Sequence, residues 1–97
     1  MPAYVIVEMN VIEPTAYEAY KAAAAPTVAQ YGGRYIVRGG ALETLEGDWQ
    51  PSRVVLLEFD SMEQAKTWVQ SAEYQAAKRH RQGATSTFNA VLVEGAP

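Results

Sequence analysis

Cysteine is absent from these 97 residues, and that one absence removes several chemistries together. Disulfide scaffolds, zinc ribbons, iron–sulfur clusters and thiol nucleophiles are excluded, and the composition fits a reducing compartment. Histidine is nearly absent as well. His80 is the only one, so no H-x-x-H or H-x-x-x-H spacing exists and a multi-histidine metal site cannot be assembled. Basic charge is in short supply: eight Lys and Arg face eleven Asp and Glu, a formal net charge of −3. With no broad basic excess to neutralise phosphates, a nucleic-acid partner is not expected; the only dense basic run is Lys78-Arg79-His80-Arg81. No stretch approaches the roughly 18 apolar residues of a membrane-spanning helix, and no signal peptide precedes the first strand pattern. A cytoplasmic protein without a membrane partner is the expectation.

Repeats, low-complexity tracts and linkers are missing too, so residues 1–97 read as a single domain. What is present is a simple succession of hydrophobic periods. Tyr4 to Val11 alternates as a strand. Pro14 opens a helix whose apolar residues recur at Tyr17, Tyr20, Ala24, Val28 and Tyr31, with a kink or break expected near Ala25 because Pro26 lies inside it. Arg34 to Arg38 and Arg53 to Phe59 are further strands, separated by a long loop around Trp49. Ser61 with Gln64 forms a capping-box pattern that opens a second helix, Ser71 caps another helical piece, and Gly83 ends it. Thr85 to Glu94 is the last strand.

The order β-α-β-β-α-β, with the second helix in two pieces, indicates an α+β ferredoxin-like domain with a four-stranded antiparallel sheet. Right-handed crossovers put the first and third strands at the centre, expected here as parallel neighbours, with both helices on one face. Strict alternation sorts the side chains. Val5, Val7, Met9, Tyr35, Val37, Val55, Leu57 and Phe59 are expected to face the helices. Tyr4, Ile6, Glu8, Asn10, Arg34, Ile36, Arg38, Val54, Leu56 and Glu58 are expected on the other face. That second face is too apolar to leave in water, and a second copy of the same sheet is the simplest cover, so a homodimer is expected. Antiparallel pairing of the second and third strands would bring Arg34 beside Glu58.

The run YGGRYIVRGG (Tyr31 to Gly40) is followed by LEGDWQPSRVVLLEF (Leu45 to Phe59). Then come Ser61, Trp68, SAEYQ (Ser71 to Gln75), Arg81 and a closing LVEG (Leu92 to Gly95). Together they resemble the bacterial domain-of-unknown-function family numbered 1330, over nearly the whole chain. The resemblance implies a dimeric α+β barrel, in which two ferredoxin-like sheets close around a cleft, and it implies no assigned activity. Wider relatives include cofactor-free monooxygenases, haem-degrading enzymes, lactone isomerases and non-catalytic ligand binders, among which a fold alone does not choose.

The chemistry-bearing residues are few. Asn10, Arg34, Arg38, Glu58 and His80 are the candidates for contacting a small apolar or aromatic molecule in an inter-sheet cleft. His80 offers a base that titrates near neutrality, or simply a cation at a helix C-terminus. Asn10, Trp68 and His80 resemble the trio of the haem-degrading relatives, although Trp68 falls on an apolar helical stripe. Gly32-Gly33 and Gly39-Gly40 lack the strand-to-helix context of a phosphate loop and read as a helix cap and a strand exit. Glu43, Glu46 and Asp48 surround Trp49 in a loop that would serve as a lid or rest on a partner subunit. No tightly bound cofactor is called for. Two functions follow: binding or turnover of a small molecule without a held cofactor, or a non-catalytic ligand-binding or structural dimer.

Overall fold

In the computed structural model, which describes residues 1–97, the elements run in the expected order. They are β1 (Ala3–Val11), α1 (Pro14–Gln30), β2 (Arg34–Arg38), β3 (Arg53–Phe59), α2 (Met62–Gln70), α3 (Ala72–Lys78), a 3-10 turn (Arg79–Arg81) and β4 (Thr85–Glu94). The four strands form one sheet in the order β2-β3-β1-β4, with every neighbouring pair antiparallel. The four-stranded antiparallel sheet is as expected, while the parallel orientation expected of its two central strands is corrected. A helical crossover makes β2 parallel to β1, and β3 turns back between them, so β3 must oppose both.

The core lies between the sheet and the helices. Val5, Val7 and Met9 of β1 and Val55, Leu57 and Phe59 of β3 meet Tyr17, Tyr20, Ala24 and Val28 of α1, and Trp68 and Tyr74 of α2 and α3. α1 continues through Pro26 without the expected break. Proline removes one hydrogen bond, to the carbonyl four residues earlier; Pro26 and Ala22 are respectively exposed to water, where that loss is cheapest.

Local signals place the helix starts. The Ser61 hydroxyl accepts from the Gln64 N–H at 3.1 Å, and the Ser71 hydroxyl accepts from the Tyr74 N–H at 3.0 Å. Only half of the capping box forms. The Gln64 side chain donates to the Tyr31 carbonyl at 2.8 Å rather than back to its own cap, and so ties α2 to the end of α1. Trp68 makes a second tie, its Nε1–H donating to Thr27 Oγ1 at 3.0 Å.

The register shifts at two places, between Asn10 and Val11 against β4 and within β2, and the second matters for the site. In β2 the register slips between Tyr35 and Val37: Tyr35 faces Leu57, but Val37 faces Leu56 and Arg38 faces Val55. The extra residue, Ile36, is a bulge. Past it, the side chains exchange faces, so Val37 joins the outer face with Leu56 while Arg38 joins the helix side with Val55. Both assignments therefore reverse those expected from a simple count of two.

Candidate functional site

The outer sheet face carries Tyr4, Ile6 and Glu8 of β1, Leu56 and Glu58 of β3, and Val91 and Val93 of β4. Arg34 and Glu58 are direct cross-strand partners and form an ion pair, as the antiparallel register required. Tyr4, the partner of Glu58 on the other side, donates its hydroxyl to the same carboxylate at 3.1 Å. That hydrogen bond holds the Tyr4 hydroxyl above its ordinary value. Glu58 is thus engaged from both neighbouring strands, and its side chain is only 16% exposed. Ile36, Val37, Val91 and Val93 stand exposed around this row.

A mostly apolar cavity lies on the other side of the sheet. It measures about 280 Å³ and lies between the strands and the helices. Val5, Val7 and Leu57 form its floor, with Ala24, Trp68 and Tyr74 on the helical side. A volume near 300 Å³ is at the small end of ligand pockets.

Arg38, Arg53 and Arg81 also line this cavity. β4, β1 and β3 align Phe88, Met9 and Arg53 in one row, and the adjacent row holds Ala90, Val7, Val55 and Arg38. The guanidinium of Arg81 lies 3.4 Å from the Phe88 ring centroid, that of Arg38 4.1 Å from Tyr35, and that of Arg53 5.4 Å from Tyr17. Gly39 has φ +74°, and a Cβ there would run into the Arg53 guanidinium. Glycine at the exit of β2 therefore provides both the turn and the space for Arg53.

Deeper in, the Tyr20 and Tyr74 hydroxyls are 2.9 Å apart, and Arg81 donates to Tyr74 at 3.3 Å. Burial, reinforced by the neighbouring Tyr74, pushes the Tyr20 hydroxyl well above the ordinary tyrosine value; burial likewise raises Tyr35. A tyrosine whose folded pKa exceeds its unfolded one stabilises the fold below the unfolded value and loses that contribution as pH rises. Above about pH 10 the unfolded chain ionises Tyr20 while the folded protein does not, which removes up to ~1.4 kcal/mol per pH unit. Urea unfolding midpoints should therefore fall between about pH 9.5 and 11, and fall less steeply in Tyr20→Phe. Equal slopes would show that Tyr20 titrates freely in the folded protein.

The five residues singled out from sequence are dispersed. Arg34 and Glu58 pair on the outer face. Asn10 sits at the far end of β1 and donates to Ser86 Oγ at 2.7 Å. His80 is exposed in the 3-10 turn and lines no part of the cavity. Arg38 does line it, on the helix side, not in an inter-sheet cleft. Nor does the trio of Asn10, Trp68 and His80 share a wall; Trp68 alone reaches the cavity. Sequence reasoning missed Arg53, Arg81 and the tyrosines. Arg53 was legible as a partner of Met9 by alternation, whereas the folding of Arg81 over Phe88 depends on tertiary packing.

The architecture is that of a ferredoxin-like α+β protein with an apolar cavity between its two layers. The chain belongs to the family described as a domain of unknown function, DUF1330, whose profile matches residues 2–96. No curated protein matches it. Among solved structures, a protein of unknown function from Rhodopseudomonas palustris is similar at TM-score 0.77 and 20% identity, over 99% of this chain and 83% of that one. A dimeric protein of unknown function with a ferredoxin-like fold from Bacteroides fragilis is similar at TM-score 0.65 and 16% identity, over 97% and 96%. SnoaB, a cofactor-independent oxygenase from Streptomyces nogalater, is similar at TM-score 0.66 and 11% identity, over 99% and 94%. At these identities the likeness concerns the fold. No helix of the chain is long and apolar enough to cross a membrane.

Proposed function

We propose that the protein is a homodimer that binds a small apolar or aromatic molecule, each protomer using the cavity between its own sheet and helices. The cavity is the observation that carries this reading: a space of about 280 Å³ with a mostly apolar wall, lying against the buried core between sheet and helices. Dimerisation rests on the outer face, where Ile36, Val37, Val91 and Val93 are exposed and a second sheet would cover them. The dimeric relative from Bacteroides fragilis supports that arrangement. Trp49, 62% exposed in the β2–β3 loop, then rests on the partner. A cytoplasmic location accords with the cysteine-free sequence.

Binding is better supported than turnover by the residues themselves. The similarity to a cofactor-independent oxygenase makes oxygenation of the bound molecule the enzymatic version of the same reading. Yet the cavity wall contains no carboxylate and no imidazole to take a proton from a substrate. Asn10, Arg34, Glu58 and His80 accordingly have structural or surface roles in this reading, and of the five only Arg38 meets the ligand.

Native mass spectrometry of freshly purified protein should give twice the chain mass together with a co-purifying small molecule. Ala90 lies on the cavity wall yet is exposed, so Ala90→Phe can fill the opening without disturbing the core. The variant should remain folded and lose both the co-purified molecule and any thermal stabilisation by 2-naphthoate. Ligand retained in full by Ala90→Phe would place binding elsewhere.

A further inference from the structure

We infer that the ligand of this cavity is an amphipathic oxyanion, an apolar ring-sized body ending in a carboxylate or phosphate held by Arg38, Arg53 and Arg81. The inference rests on the cavity being the binding site and adds the chemical class of what enters it. Three guanidinium groups line an apolar cavity, Arg38 and Arg53 from adjoining rows of neighbouring strands, in a chain whose net charge is −3. None of the three forms an ion pair, although acidic residues outnumber basic ones; the ion pairs involve Lys21, Arg34 and Lys66 instead. Nor does any carboxylate line the cavity to neutralise them.

Arg53 sharpens the argument. Its Nε is a buried side-chain nitrogen without a hydrogen-bond partner, and no other buried side-chain nitrogen or oxygen is left so. A guanidinium donor left unpaired away from water is costly, and a bound ion that supplies the acceptor is one of the ways such a cost is met. Its position is also fixed: Gly39 leaves room for it and Tyr17 lies beneath it. Arg38 and Arg53 project from the helix-facing side of adjoining rows, Arg38 only because of the bulge at Ile36. Each guanidinium lies over an aromatic ring; Arg81 spends one N–H on the Tyr74 hydroxyl, and the planar guanidinium fork suits an oxyanion through two parallel hydrogen bonds. The apolar body would then extend from the arginines toward Val5, Leu57 and Trp68.

The test uses the full-length protein and three probes that share one ring system: 2-naphthoate, 2-naphthyl phosphate and 2-naphthalenemethanol, titrated calorimetrically. At least one of the two anions should bind tenfold or more tightly than the alcohol, and the better of them identifies the oxyanion. Arg38→Met, at an exposed position with no burden in the core, and Arg53→Lys should each lose about tenfold toward the anion and leave the alcohol unchanged. Arg34→Met, on the outer face, should change neither. Equal binding of anion and alcohol by the unaltered protein would overturn the oxyanion and leave the cavity as a binding site. Loss in Arg34→Met equal to that in Arg38→Met would also overturn it. If no probe binds, the cavity reading fails along with the inference.

Discussion

Trp68→Ala should destabilise the protein by about 3–5 kcal/mol, the range for deleting a large buried aromatic side chain. The ring is almost wholly buried, 4.3 Å from the Tyr74 ring and 5.3 Å from the Phe59 ring between centroids. Its Nε1–H donates to Thr27 Oγ1, which itself donates to the Ala24 carbonyl at 2.7 Å. The alanine variant therefore removes the largest packing contact of α2 and one of its two ties to α1 together. A domain of this size has only about 5–15 kcal/mol in hand, so a large part of the population should unfold well below the wild-type midpoint. Trp68→Phe separates the two contributions, keeping most of the stacking and losing the hydrogen bond, for about 1 kcal/mol plus the smaller ring. Guanidinium unfolding at several protein concentrations measures both while accounting for dimerisation. A loss of under about 1 kcal/mol in the alanine variant would show that the ring is not packed as described.

The second large effect concerns the outer face. Val91 is 56% exposed in the protomer, so Val91→Glu should leave the isolated fold intact. In the proposed dimer, however, a two-fold axis brings the new carboxylate into the interface twice, unpaired and removed from water, at a cost of about 3–5 kcal/mol for such a buried charge. Each 1.4 kcal/mol is about tenfold in the equilibrium constant, so dissociation should rise at least about a hundredfold. Light scattering should then find monomer at concentrations where the wild type is dimeric. Gln70→Glu, on an exposed position of α2, adds the same charge away from the sheet and should not shift the equilibrium. A dimer unaffected by Val91→Glu would mean that the subunits meet through another surface.

Much of the fold was legible because its signals are local. Serines at 61 and 71 cap their helices through a hydrogen bond three residues long, and the strand limits of β2, β3 and β4 coincide with runs visible in the sequence. The pairing of Arg34 with Glu58 followed from antiparallel register alone. The break at Pro26 did not occur, because a proline's cost depends on whether the carbonyl it abandons can reach water. The site was less legible. Ile36 gives no sign in the sequence of being an extra residue; nothing in the composition of β2 distinguishes a bulge from a regular strand, and one residue of slip reverses every assignment beyond it.

The sequence by itself determined the order of strands and helices, the caps, and a sheet with an apolar second face, since each depends on residues near one another along the chain. Only the tertiary structure decided the antiparallel pairing of the two central strands, the side on which Arg38 emerges and the lining of one cavity by Arg38, Arg53 and Arg81. The reason is physical: a bulge is set by how two strands pair, and a cavity by what two layers fail to fill. Neither is a property of any one segment.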